Sequence, residues 1–419
     1  MIYLSRKLLL AIPLISLATT SLATEIAKDP FEDNLFGHWG GLRDKLSNAG
    51  IDTIIEYKAD AWSNTSGGIK RGNSYLDNLD VKFAIDGEKL FGIEGNKAMI
   101  YFLNNNGGRP NARQVGSNQA IDNIETGVST AKLYEAWVEQ SFLNKKLSVL
   151  VGLHDLNSEF IMTDMSANFI KPVMQVSQSF AQSGENGPSI FPTTSLAARV
   201  KFTPTEESYF SVAAFDGVAG NTSHPYATRI DFNHNDGLLL VSELRITPKA
   251  ADSESSPNKF AIGAWTYTEK MDDLVDLDSN GNPVQKRMEG AYFLSSYQVY
   301  HNKEAGHDIG LFLRAGIADG DTAQVDWDYT AGIVANGWMP TRSDSEIGLG
   351  IAQAHNSNTY VTSVSGVADA NEYSYELYYR DKICNGISVQ PDLQYIVNPG
   401  TDKVAKDATV IGIRFDVNF

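Results

Sequence analysis

Glu135, Trp137 and Glu139 fall two residues apart, so in an extended strand they share one face, opposite Tyr134, Ala136 and Val138. Arg199 and Lys201 repeat the arrangement with the opposite charge, set between Leu196, Ala198, Val200 and Phe202. Arg109 and Arg113 lie in the polar stretch 104–123, which opens Asn104-Asn105-Asn106-Gly107-Gly108, and Glu125 follows just beyond it. Carboxylates and guanidiniums offer charge-assisted, often two-pronged hydrogen bonds, and an indole offers a flat apolar face. That is chemistry for holding polar groups, with no bond-making step implied.

Bond-making patterns are missing from the local sequence. The seven histidines form no H-E-x-x-H spacing and no Cys/His cluster, so neither a metal nor a cofactor is expected. There is no G-x-S-x-G elbow and no Walker loop. Asp276-Leu277-Asp278-Ser279-Asn280-Gly281 begins like a calcium loop, but Arg287 occupies the twelfth position and Pro283 intrudes, so it reads as a polar hairpin turn. A Ser-His-Asp set drawn from distant strands would leave no local spacing, which keeps an outer-membrane barrel enzyme acting on lipid as the weaker alternative.

The elements that must carry these side chains have period two. The last stretch sets Ile411, Ile413, Phe415, Val417 and Phe419 against Gly412, Arg414, Asp416 and Asn418. One apolar and one polar face suit a wall between lipid and a watery lumen, and a half-buried strand of a soluble sandwich would look the same. The pattern recurs: Leu79, Val81, Phe83 and Ile85 oppose Asp80, Lys82 and Asp86; Leu240 and Leu244 oppose Glu243 and Arg245; Tyr375 and Leu377 oppose Glu376. So many inward charges would be intolerable in a dry core and are cheap in a water-filled lumen.

Met1 to Ala23 has Arg6 and Lys7, an apolar run and a small-residue exit, the layout of a cleaved secretory signal. Beyond it no run of about 18 uncharged apolar residues follows, so spanning helices are not expected. The single cysteine, Cys384, excludes an internal disulfide, and a formal charge of −17 argues against a nucleic-acid partner. The chain therefore divides into a signal peptide (1–23), a leader with a short helix from about Gly41 to Asn48 (24–50), and a barrel (51–419). The fold class expected is all-β, a sixteen-stranded antiparallel transmembrane β-barrel with a short N-terminal periplasmic helix.

Several stretches carry a family resemblance. They are Gly37-His38-Trp39-Gly40-Gly41-Leu42-Arg43, then Leu133-Tyr134-Glu135-Ala136-Trp137-Val138-Glu139-Gln140, Val151-Gly152-Leu153-His154-Asp155, Tyr378-Tyr379-Arg380, Gln390-Pro391-Asp392-Leu393-Gln394-Tyr395-Ile396 and Asn398-Pro399-Gly400. In order and spacing, from about residue 35 to 419, they resemble the carbohydrate-selective porins of the OprB type. His38 stands where that family usually has Asp, and His154 where Lys is common.

The resemblance implies an outer-membrane barrel through which monosaccharides and similar small polar solutes diffuse, narrowed by inward loops bearing Arg and Glu. On that footing Arg109, Arg113, Glu125, Glu135, Trp137, Glu139 and Arg199 are the candidates for the narrow part of the pore. For Arg109 and Arg113 a solvated external loop is an equal alternative, and for Glu135 and Glu139 so is pairing with neighbouring strands. The expected partners are glucose-like sugars and outer-membrane lipid. A monomer and a homotrimer both stay open, as does a general diffusion pore with a weak cation preference.

Overall fold

The computed structural model describes residues 31–231, 233, 235–248, 258–365 and 368–419. The signal segment and the first leader residues lie outside that range. Among the described residues, sixteen antiparallel strands close into a barrel in which each pairs with its neighbours in sequence and the first pairs with the last. They are β1 (Ile51–Gly68), β2 (Gly72–Asp86), β3 (Asn96–Gly107), β4 (Thr130–Phe142), β5 (Leu147–His154), β6 (Ser195–Thr205), β7 (Ser208–Asp216) and β8 (Leu238–Ile246). The second half comprises β9 (Lys259–Leu277), β10 (Pro283–Asn302), β11 (His307–Ala318), β12 (Val325–Asn336), β13 (Glu346–Asn356), β14 (Asn371–Cys384), β15 (Ile387–Val397) and β16 (Lys406–Asn418).

Closure rests on the terminal stretch. Tyr57 pairs with Val417, Asp60 with Arg414 and Ala61 with Ile413. The expected alternation holds there: Ile411 and Phe415 face outward and exposed, while Arg414 and Asp416 are buried inside. Arg414 forms a two-pronged bond to Asp60 across the seam, at 2.8 and 2.6 Å. The same parity turns Val151, Val200, Leu244, Leu311 and Leu377 to the exterior. A continuous apolar outer band with internally satisfied backbone is what a lipid environment requires of a sheet.

Before the strands, helix α1 (Leu42–Asn48) ends at Ala49, and Gly50 follows with φ +94°, a conformation that favours glycine. Arg43 on this helix is buried under the rings of Phe31 and Trp39 and donates to the Thr53 carbonyl at 2.8 Å. The helix thus clamps the start of β1 at the end of the barrel where both termini of the sheet lie. Aromatic side chains mark both rims: Trp338 beside Tyr300 and His307 at this end, Trp327 stacked on His355 at the other.

The alternation breaks at one place that matters. Tyr134, expected opposite Glu135, is buried inside with it, because β4 has a bulge where Tyr101 pairs with Glu135 and Phe102 with Leu133. The extra residue turns Tyr134 inward, where its hydroxyl donates to Asp155 at 2.8 Å.

Candidate functional site: a lumen narrowed by two inward loops

Strand connections alternate in length. Those at the end holding the termini are mostly tight turns, such as 143–146 and 385–386, whereas 108–129 and 155–194 at the other end are long. Both long segments fold into the lumen. The second is dense in apolar residues, and Phe160, Ile161, Phe169, Ile170, Val173, Met174 and Phe180 are all at most 1% exposed. Phe180 stacks on Trp265 at 4.8 Å between centroids, and Phe169 meets Phe312 and Tyr378 edge-on. Glycines open the wall beneath it: a Cβ at Gly316 would lie 1.9 Å from Ser177 Oγ, and one at Gly310 2.3 Å from Met165.

Inward carboxylates of the strands hold these loops by their backbone. Glu376 on β14 accepts from Ile170 N at 2.6 Å and Lys171 N at 3.1 Å. Asp328 on β12 accepts from Ser179 N at 2.9 Å and Ser177 Oγ at 2.6 Å. Glu243 on β8 accepts from Ile161 N at 2.8 Å, and Arg314 on β11 donates to the Met174 carbonyl at 2.9 Å. The shorter loop is held alike: Glu372 on β14 accepts from Ser117 Oγ at 2.6 Å, Asn118 N at 2.9 Å and Gln119 N at 3.1 Å. Hydrogen bonds to a charged acceptor are each worth roughly 1.5–3 kcal/mol.

The expectation that inward charges stand in open water is therefore corrected for Glu243, Arg314, Glu372 and Glu376, all at most 1% exposed. Loop backbone and side chains replace the water. The two loops are also tied to each other, since Asn123 N donates to the Ile170 carbonyl at 2.9 Å and Lys171 Nζ to the Ala120 carbonyl. Burial holds the Lys171 ammonium down to about 8, against the pull of Glu372 and Glu376.

Six of the seven candidate residues fall into two places. Glu135, Trp137, Glu139 and Arg199 gather on the wall of β4 to β6, at the foot of the longer loop. Arg199, 1% exposed, bonds Glu159 of that loop through Nε at 2.7 Å, Glu139 through Nη2 at 3.0 Å and Ser148 through Nη1 at 2.7 Å. Glu135 accepts from Asp155 N at 3.0 Å and Trp137 Nε1 at 3.3 Å, and lies 3.0 Å from His154 Nδ1. Sequence reasoning missed Glu159 and the loop that carries it.

Arg109 and Glu125 lie elsewhere, beside a cavity of about 280 Å³. Both loops wall it, with Asn123, Asn157, Gln175 and Phe191 completing the part nearest these two charges. The π-helical turn Asn111–Val115 aims its first amides at Glu125, which accepts from Asn111 N at 2.8 Å and Ala112 N at 3.1 Å. Burial pushes the Glu125 carboxyl up, and those two amides and Arg109 pull it back. Arg109 Nη1 donates to the Gly127 carbonyl at 2.9 Å. Arg113, on the same turn, is exposed.

A family model described as the carbohydrate-selective porin family, OprB, matches residues 70–419. Porin B of Pseudomonas aeruginosa is 26% identical over 446 aligned positions, which cover 98% of this chain and 96% of that protein. Among solved structures, OprB of Pseudomonas putida at high pH superposes with a TM-score of 0.83 at 23% identity, over 93% of this chain and 99% of the other. The outer-membrane channel DcaP of Acinetobacter baumannii superposes with a TM-score of 0.55 at 9% identity, over 88% of this chain and 98% of the other, a likeness of fold alone.

Proposed function

This chain belongs to the OprB family of carbohydrate-selective porins, and on that premise we propose that glucose-like monosaccharides and similar small polar solutes pass through the cavity between its two inward loops. It is an outer-membrane sugar channel, a porin by family and fold. In this reading residues 1–23 are the signal that directs export and are removed, and residues 51–419 are the barrel.

The observation that carries the proposal is the cavity itself. It places a guanidinium, a carboxylate, the amides of Asn123, Asn157 and Gln175, and the Phe191 ring around one space. Sugars are neutral polyols whose hydroxyls both donate and accept, and whose ring faces are apolar. Arg109 donates, Glu125 accepts with the lone pairs its amide caps leave, and Gln175, whose amide nitrogen is held by the Ala167 and Phe169 carbonyls, offers its oxygen. A contact set of this kind lowers the barrier only if it is weak enough to release its guest, which suits a few side chains better than an enclosing pocket.

Glu135, Trp137, Glu139 and Arg199 take a different part in this reading. They fix the foot of the longer loop and so set the width of the passage without touching the sugar. Arg113 lies on the approach. Outer-membrane lipid covers the apolar exterior, and a homotrimer would bury part of the same surface, which native mass spectrometry in detergent would read.

Titration of glucose into the ion current of single channels in planar bilayers tests the proposal. A saturable fall in current is expected, because a sugar held between the loops displaces ions. Current independent of glucose at all concentrations would refute a sugar-holding passage.

A further inference from the structure

The net charge of −17 would favour cations if the acidic excess lined the lumen. The route to the cavity has the opposite character. On its outer side lies a second cavity of about 480 Å³, and Thr126 and Gly127 line both. Residues 219–229 of the connection from β7 to β8 cover it, pinned where Thr130 Oγ1 donates to the Tyr226 carbonyl at 2.9 Å and Thr228 Oγ1 to the Leu133 carbonyl at 2.6 Å.

Lys132 of β4 lines this vestibule. Its ammonium reaches only Thr193 Oγ1, at 3.5 Å, and makes no ion pair with any described residue. Arg109 likewise pairs with no described carboxylate at bonding distance, and its contact with the Gly127 carbonyl sets it at the junction of the two cavities. The carboxylates nearby have partners of their own. Glu125 is capped by two amides, and Asp122 accepts from Trp62 Nε1 at 2.5 Å and Ile124 N at 2.7 Å with Arg414 at 3.6 Å. In the vestibule Arg229 is paired with Asp231 at 2.9 Å, His224 adds a titratable ring, and Glu185 is the one carboxylate among the described lining residues.

We infer that Lys132 and Arg109 form two successive stations for a negatively charged group, so that the channel takes sugar anions, bearing a carboxylate or a phosphate, in preference to neutral sugars of the same size. The inference rests on the porin reading above and narrows its substrate class. A strand lysine held by one hydroxyl keeps donors to offer, and an arginine whose second nitrogen is free can take over the same anion one cavity further in. Charges lining a low-dielectric cleft raise the local concentration of the opposite ion about tenfold or more, an effect that salt weakens.

The test is the permeability ratio of anion to glucose for the full-length mature protein in vesicles at low ionic strength, using glucuronate, glucose 6-phosphate and glucose. The expected result is a ratio above one for at least one anion, and which anion exceeds one tells carboxylate from phosphate. Lys132→Gln is expected to lower that ratio about tenfold, Lys132→Glu further, and Lys132→Arg to retain it. Equal ratios in the parent protein and in Lys132→Glu would overturn the inference, and so would ratios below one for both anions. Failure of glucose itself to permeate the parent protein would instead defeat the porin reading on which it stands.

Discussion

The two sides of the lumen use the same residue types in opposite ways. From β8 round to β14 the inward charges are buried, and Glu243, Asp328, Glu372 and Glu376 spend their oxygens on loop amides and hydroxyls. Near the outer ends of β3 and β4, Arg109 of the shorter loop and Lys132 of β4 instead stand next to cavities and keep donors unspent. A charge on a strand face is thus either a peg for a loop or a contact for a solute, and the two are told apart by what each atom already holds.

The largest effect is expected where a peg is pulled. Glu376→Ala leaves two loop amides without an acceptor and removes one of the two glutamates near Lys171, at a cost of about 3–5 kcal/mol. Single-channel conductance should rise severalfold while the barrel stays folded by its heat-modifiable migration on gels. Unchanged conductance would mean that the apolar packing of Phe169 and Met174 holds the loop alone.

Arg199→Gln is next. It leaves Glu139 without its guanidinium and Glu159 with Lys201 as its remaining close cation, at 2.8 Å, and costs about 3 kcal/mol, felt at the loop's foot. Broader fluctuations in open-channel current should appear, together with a lower unfolding temperature. A quiet current would show that the foot is held by the Glu135 contacts instead.

On the solute side, Arg109→Gln removes a charged donor worth roughly 1.5–3 kcal/mol. The glucose concentration that halves the ion current should rise about tenfold or more with little change in unfolding temperature. The smallest effect is expected at Arg113, which is exposed and forms no ion pair with a described residue. Arg113→Gln should shift stability by less than about 0.5 kcal/mol and leave glucose block unchanged, and a clear loss of block would move Arg113 into the passage.

The barrel was largely legible in the sequence because lipid enforces strict alternation. Each of Ile411, Leu244, Leu311 and Leu377 sits where period two places it; stretches of that period number about fourteen to sixteen, and the even strand number of such barrels favours sixteen. Tyr134 was misplaced since a bulge changes parity without changing composition. The 108–129 loop announced itself by length and polarity. The 155–194 loop did not, since its contacts are to strands far away in sequence, such as Glu376 and Asp328, and it has no period of its own. A signal was nonetheless present: Phe160-Ile161-Met162, Phe169-Ile170, Val173-Met174 and Phe180 are too apolar a series for a segment exposed to water. Which carboxylates were pegs could not be read from parity, because parity gives a side chain's face and says nothing about what lies opposite.

The most direct test of the account is osmotic swelling of vesicles reconstituted with the purified protein, comparing glucose, a disaccharide of similar chemistry and a zwitterionic amino acid. A passage narrowed by two pegged loops and lined for polyols predicts fast swelling in glucose, and clearly slower swelling in both the amino acid and the disaccharide. Equal rates for all three would contradict it, and would make this barrel a general diffusion pore whose inward loops leave the path unselective.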